Sequence, residues 1–261
     1  EQIKSFKNLS STFGMKKKVN NDINAILNLA YTSRSPNAAE LFSDGLHHSM
    51  ATIELGNLRL IPEKAFKLIF SFENKNGPVS YSLTGFNSII KNYIHLEPSL
   101  DGFEKTARGA FLKREYRQIP NVNMRGLDFD LKLELSNKIN IKSSASMIEA
   151  FEDDKTPLVD IPPFNIKNEF IFEVSQKNPF VIRIKSEYIG KQKKFPNQNF
   201  NYAYLINGAI NEMEVDISVT PKDYHLLGLQ IEKEFHKKIN GRIYIDNILN
   251  LEYRSYLNRL R

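Results

Sequence analysis

The chain has 261 residues, a formal net charge of +6 at pH 7, and neither Cys nor Trp. The lack of Cys excludes disulfide bonds and thiolate metal sites. Lys and Arg are spread through alternating segments, which argues against a dedicated nucleic-acid surface. The chain has no run of 18 apolar residues and thus no candidate transmembrane helix, but a membrane β-barrel is still possible because its lipid face occupies only every second residue.

Alternation of apolar and polar residues with a period of two is the dominant pattern along the chain. It predicts ten strands and no sustained helix, with one short helical turn at 37–42. The predicted strands cover 9–15, 23–31, 66–72, 81–93, 117–135, 139–151, 164–174, 180–188, 227–235 and 242–248.

The segments between these strands alternate between short and long. Short polar links are expected at 20–22, 74–78, 136–138, 176–178 and 237–241, and long loops at 34–61, 96–109, 153–162 and 191–222. A transmembrane β-barrel has this asymmetry, with tight turns on one side and long loops on the other. A soluble sandwich has little reason to collect its long loops at one end.

Strand length also favours the membrane interpretation. The run 117–135 is longer than the roughly 9–11 residues that a tilted strand needs to cross hydrocarbon. Tyr residues lie near strand ends, as in the aromatic girdles of barrels. The expected fold class is all-β, an antiparallel transmembrane β-barrel. Residues of one set should face lipid (Phe66, Phe70, Leu131, Phe172, Ile184) and those of another the lumen (Lys67, Glu134, Glu173, Lys185).

Two motifs carry a family resemblance. The segment 30–64 contains Arg34-Ser35-Pro36, Glu40-Leu41-Phe42, His47-His48 and a late Leu60-Ile61-Pro62-Glu63. It resembles the signature region of TonB-dependent outer-membrane receptors, in which such motifs bracket an external loop. The segment 245–254, IDNILNLEYR, resembles a late motif that lies on the penultimate strand in that family.

This resemblance implies that residues 1–261 form the C-terminal half of a receptor barrel, about ten strands of 22. The plug domain, the early strands and the last strand are then expected to be absent from this chain, which should end one strand short. The implied location is the outer membrane of a Gram-negative bacterium. The implied partners are the TonB-ExbB-ExbD energising complex, acting through the plug domain, together with outer-membrane lipid and lipopolysaccharide and a metal-complex ligand. Neither enzymatic activity, an intrinsic cofactor nor a nucleic-acid partner is expected.

The candidate ligand-binding residues lie in the long loop 34–61. His47 and His48 are candidate metal ligands because imidazole suits Zn, Cu, Fe and haem iron. Adjacent residues on an extended backbone point to opposite faces, however, so a solvated histidine pair is the competing interpretation. Arg34, Asp44 and Glu54 complete the candidate set.

The predicted function is import of a metal complex across the outer membrane. An iron chelate, either a siderophore or haem, is ranked first and zinc second. The alternative from another class is a surface adhesion or binding β-protein that does not transport.

Overall fold

The computed structural model describes residues 4–50, 52–107, 109–175, 179–195, 199–206, 209–216, 220–236 and 239–256. The chain forms fourteen strands and one short helix in these ranges, which confirms the expected all-β class. The elements are β1 (Ser11–Lys18), β2 (Ile23–Arg34), α1 (Ala38–Phe42), β3 (Asp44–His47), β4 (Thr52–Leu55), β5 (Glu63–Asn74), β6 (Val79–Thr106), β7 (Gly109–Ser136), β8 (Ile139–Glu152), β9 (Asn165–Ser175), β10 (Phe180–Ile189), β11 (Asn199–Ile206), β12 (Ala209–Asp216), β13 (Tyr224–His236) and β14 (Ile239–Ile245).

Ten of these strands form one continuous antiparallel sheet in the order β1-β2-β5-β6-β7-β8-β9-β10-β13-β14. Each of the ten overlaps one of the predicted strands, so that prediction is confirmed. The sheet is open, because β1 and β14 lie at opposite ends of the order rather than pairing with each other in the described chain. We refer to the end with the short links as the turn end and to the opposite end as the loop end.

The register separates the side chains of the sheet into two faces. Directly paired residues share a face, and the chains of pairs Leu27–Phe70–Gly85–Leu127–Met147 and Phe172–Ile182–Ile231 lie on one of them. We call this the apolar face. All five residues predicted to face lipid share it, and the four predicted to face the lumen lie on the opposite, polar face, so the predicted register is confirmed. Phe66 and Phe70 are each 50% exposed.

One predicted loop is wrong. Residues 96–109 do not form a loop but continue β6 and β7, which pair from Val79–Leu133 to Thr106–Gly109 with a bulge between Pro98 and Phe103. Pro98, Asp101 and Gly102 resemble turn signals, but here they are accommodated by the bulge and by a positive φ of 71° at Gly102. We call the part of this pair beyond residues 92 and 120 the outer hairpin.

Two loops fold against the outer hairpin. The loop between β2 and β5 contains α1 and the β3–β4 hairpin, and β4 adds to β7 as a parallel strand, with Thr52 opposite Leu112 and Leu55 opposite Glu115. The loop 153–164 packs Leu158 and Ile161 onto Ile119, Val122 and Ala150. These residues are buried, and Leu41 and Leu60 of the first loop form a second buried cluster with Ile94, so both loops are folded parts of the structure.

The motif 245–254 also differs from its expected position. β14 ends at Ile245, and the chain then turns through Asn247 and Asn250, which have positive φ angles of 50° and 47°. The Ile248 amide donates to the Leu227 carbonyl, and the Tyr253 ring lies 4.5 Å from that of Tyr224. Most of the motif therefore follows the strand instead of lying on it. Among the described residues, no helix is long and apolar enough to cross a membrane.

Candidate ligand-binding site at the loop end

Arg34, at the loop end of β2, lies between two carboxylates. Its Nε donates to Oε2 of Glu63 at 2.6 Å, and its NH1 donates to both oxygens of Glu40 at 2.9 and 3.0 Å. Hydrogen bonds to Glu63 and Glu40 raise the pKa of Arg34 above its ordinary value. The other oxygen of Glu63 accepts the amide of Ile94. This network joins β2, α1, β5 and the outer hairpin.

The short helix α1 is fixed at both ends. Asn37 and Glu40 form a capping box, in which the Asn37 side chain accepts the Glu40 amide and the Glu40 carboxylate accepts the Asn37 amide. After β4, the chain returns against the end of the helix. The amide of Gly56 donates to Ser43, and the amide of Asn57 donates to Glu40. The predicted helical turn at 37–42 is confirmed, and Glu40 both caps the helix and binds Arg34.

The inner side of this loop is packed against the outer hairpin. Leu41, Leu60 and Ile94 form a buried cluster, with Leu60 only 2% exposed. The Asn57 side chain donates to the carbonyl of Tyr116, and the Gln118 side chain pairs with both backbone groups of Ile61. Buried apolar contacts and side-chain pairing with the backbone together hold the loop in one arrangement.

The predicted ligand-binding histidines lie at the tip of the β3–β4 hairpin. His47 is the last residue of β3 and accepts the amide of Met50 through its carbonyl, which closes a turn around the exposed His48. His47 Nδ1 lies 3.7 Å from an oxygen of Glu54, and Asp44 is exposed at the start of the same hairpin. The structure thus brings His47 and Glu54 together and leaves their ligand contact a prediction.

The part of the chain that the structure describes contains no group of three His, Asp or Glu residues arranged to hold a metal ion. A metal at this tip would therefore need donors from its own chelate or a rearrangement of the turn. Metal binding by His47 and His48 stays a prediction, best suited to a complexed metal that brings most of its ligands with it.

A buried arginine connects the second folded loop to the outer hairpin. Arg114, 2% exposed, donates from NH2 to the Leu96 carbonyl and to Oδ2 of Asp160 at 3.1 Å. Asp160 adopts a positive φ of 62° in the loop 153–164. Because Arg114 also pairs through its backbone with Glu54 of β4, one residue contacts both folded loops. Nearby on the outer hairpin, burial raises the pKa of Glu97.

The polar face of the sheet carries many charged side chains. A cavity of about 680 Å³ spreads over the strands from β5 to β10, and its charged side chains pair across strands. Lys167 lies 3.0 Å from Glu187, and Lys142 lies 4.0 Å from Glu169. Such cross-strand pairs are the ordinary means of solvating a polar barrel interior.

Sequence reasoning missed the roles of Glu40, Glu63 and Arg114. Glu40 and Glu63 belong to the motifs that bracket the loop, and their charge opposite Arg34 was the available signal. Arg114 carried no signal, because its partner Asp160 lies 46 residues later in the chain.

The profile of the family described as TonB dependent receptor-like, beta-barrel matches residues 2–251. The chain belongs to this family. The resemblance found in the two motifs is thereby confirmed, and the open sheet corresponds to part of a receptor barrel. No curated protein matches the chain significantly.

Three solved structures share the fold of this chain. The structure titled "Copper transporter OprC" matches with a TM-score of 0.73 and 13% identity over 95% of this chain and 34% of that one. The siderophore receptor PirA from Pseudomonas aeruginosa matches with a TM-score of 0.64 and 14% identity, over 93% and 39%. A mutant of the ferric enterobactin receptor PfeA, also from P. aeruginosa, gives 0.63 and 14%, over 92% and 34%. The chain therefore spans between a third and two-fifths of these receptors' lengths.

Proposed function

We propose that this chain forms part of the wall and external loops of a TonB-dependent importer of a metal complex in the outer membrane of a Gram-negative bacterium. The observation that carries the proposal is the segregation of the sheet into an apolar and a charged face, with folded loops at one end only. An apolar face suits lipid and a charged face suits a water-filled or plugged lumen.

The chain would contribute to uptake in two ways. Its folded loops would present His47, His48, Asp44 and Glu54 to an incoming ligand on the external side. Its charged polar face would line the route past the plug domain, which the TonB-ExbB-ExbD complex displaces in this mechanism. Arg34, held by Glu40 and Glu63, would position the loop, and its direct contact with the ligand stays a prediction.

For the cargo, we place an iron chelate first, either a siderophore or haem, and zinc second. Two of the similar structures are titled as siderophore or enterobactin receptors, which supports a chelate. A chelate also fits the histidine tip, where the described residues supply too few donors to hold a bare ion. The similar copper transporter adds copper to the metals that the uptake assay should include.

The test is uptake by the full-length receptor carrying H47A and H48A together. We expect binding and uptake of one iron chelate to fall while the amount of receptor in the outer membrane is unchanged. The control is His225→Ala, because His225 lies on the apolar face, hydrogen-bonds with Ser186, and belongs to β13, which five strands separate from β5 in the sheet. If the double variant takes up every siderophore, haem, zinc and copper tried as well as the wild type does, the histidines are not ligand-binding residues. A loss restricted to zinc would instead rank zinc above an iron chelate as the cargo.

A separate measurement tests the class of protein. A membrane barrel should migrate differently on a gel before and after heating and should need detergent to stay in solution. A full-length protein that is freely soluble and unchanged by heating would instead support the adhesion or binding alternative.

A further inference from the structure

The turn between β5 and β6 carries an exposed Asn76-Gly77 dipeptide. Gly77 adopts a φ of 75°, and a Cβ atom added to it would meet no atom within 4 Å beyond its chain neighbours. In the described part of the chain, no hydrogen bond engages the Gly77 amide. Glycine also has the widest choice of backbone conformations and no side chain to obstruct its nitrogen. The turn therefore leaves the Gly77 nitrogen accessible to the side chain that precedes it.

The Asn76 side chain connects this turn to the neighbouring turn between β1 and β2. Its Nδ2 donates to the Asn21 carbonyl at 3.4 Å and to Oδ1 of Asp22 at 3.3 Å. The two turns lie side by side because Ile23 pairs with Asn74 in the sheet. A carboxylate at position 76 could donate neither hydrogen bond and would place a second negative charge against Asp22. The chemical state of this one side chain thus decides whether the two turns attract or repel each other.

A second Asn-Gly dipeptide offers a comparison within the same chain. Asn240 is exposed like Asn76, but Asn240-Gly241 lies inside β14, where Gly241 pairs with Lys233 of β13. A paired strand restrains the backbone rotation that would bring the asparagine side chain onto the next nitrogen. The sequence contains one further Asn-Gly dipeptide, at 207–208, which lies outside the described residues. The two described dipeptides therefore have the same composition and differ in backbone restraint.

We propose that Asn76 deamidates spontaneously, with water as the only co-reactant, and that the product releases the β5–β6 turn from its neighbour. The Gly77 nitrogen loses its proton and forms a bond to Cγ of Asn76, which closes a succinimide ring. The bond from Cγ to Nδ2 breaks, and Nδ2 leaves as ammonia with the proton from Gly77.

Water completes the reaction by opening the ring. It adds to one of the two ring carbonyl carbons, the bond from that carbon to the Gly77 nitrogen breaks, and a proton from the water returns to this nitrogen. Attack at Cγ gives aspartate, and attack at the backbone carbonyl carbon of Asn76 gives isoaspartate. The net change exchanges ammonia for water, so no oxidant or reductant is needed.

The first test follows the modification itself. The purified full-length receptor is incubated in heavy-oxygen water at mildly alkaline and mildly acidic pH, digested, and analysed by mass spectrometry. We expect the Asn76 peptide to gain one heavy oxygen about 5- to 30-fold faster than the Asn240 peptide, because restraining one backbone residue in a strand costs about that factor in population. Alkaline pH should accelerate the reaction, because the attacking nitrogen must lose its proton.

Matched variants connect the mass change to its position. Asn76→Gln should nearly abolish it in this peptide, because the longer side chain closes a ring to the next nitrogen far less readily, whereas Asn240→Gln should leave the rate at Asn76 unchanged. Equal rates at Asn76 and Asn240, or an unmodified Asn76 peptide after alkaline incubation, would overturn the modification site.

The second test follows the consequence for the two turns. Asn76→Asp mimics one product, and hydrogen exchange is measured on peptides covering 18–24. We expect exchange there to rise about fivefold, the effect of losing one net hydrogen bond. Asn240→Asp is the control and should leave these peptides unchanged. Unchanged exchange in Asn76→Asp, or an equal rise in the control, would overturn the release of the turn.

Discussion

Gly56 gives the sharpest test of the folded loop between β2 and β5, because this position requires glycine for space and not for backbone conformation. A Cβ atom at this position would lie 2.6 Å from the Leu41 carbonyl carbon, 2.7 Å from its oxygen and 2.7 Å from the Phe42 nitrogen. These are backbone atoms of α1, so no side chain can rotate away. In G56A the helix and the end of β4 must separate.

The size of the effect follows from what that separation breaks. Overpacking costs about 1–3 kcal/mol. Weakening the hydrogen bonds from Gly56 to Ser43 and from Asn57 to Glu40 costs about 1 kcal/mol more in total. We therefore expect the free energy of opening the loop to fall by about 2–4 kcal/mol, which is roughly a 30- to 900-fold faster amide exchange. The sheet itself should be unaffected.

Hydrogen exchange measured by mass spectrometry on the full-length receptor in detergent would test this, with peptides covering 38–60. Gly85→Ala is the matched control, because its added Cβ would meet only Leu127 Cδ1, at 3.7 Å. Exchange in G56A that matches both the control and the wild type would refute the close contact between α1 and the end of β4.

Three further predictions test the faces and the outer hairpin. Phe70→Arg should lower the free energy of unfolding from vesicles by about 2–4 kcal/mol, measured by denaturant titration. Ser71→Arg on the polar face should lower it far less, and equal losses would contradict the register. Gly126→Ala should weaken the β6–β7 pairing, seen as a lower melting temperature, because its Cβ would clash with the Phe86 ring. An unchanged melting temperature would show that the ring can move. Glu97→Gln should slow amide exchange in the outer hairpin at neutral pH, because burial raises the pKa of Glu97 and thus disfavours its charged form. That benefit should decrease as the pH falls through the raised pKa and vanish near the ordinary pKa of a glutamate, below which the wild-type carboxyl is neutral in both the folded and the unfolded state.

The membrane strands could be predicted from the sequence because their alternation is long and one-sided. In β5, every second position carries a large apolar residue four times in succession, and the positions between them are mostly polar. The apolar residues are Phe66, Leu68, Phe70 and Phe72. The length of each such strand then fixed its register, since a slip by one residue would move every aromatic side chain to the polar face.

The loop structure could not be predicted in the same way. β3 and β4 have four residues each, too few for alternation to be distinguished from chance, and β4 pairs with a segment about sixty residues away. The outer hairpin was mistaken for a loop because Pro98 and Gly102 carry the chemistry of turns. The sequence places the candidate histidines in the long segment between two sheet strands, as the structure does, but only the fold shows that Arg34 is held by two carboxylates.

The parallel pairing of β4 with β7 has a consequence for the order in which the protein assembles. Thr52 is synthesised long before Leu112, yet it can find its place only at an edge of β7 that exists once β6 and β7 have met. Loop closure over such a separation is slow compared with the local hairpin turns. The loop that carries the histidines should therefore fold after the neighbouring strands have assembled, so an interrupted assembly would leave the sheet formed and this loop unfolded.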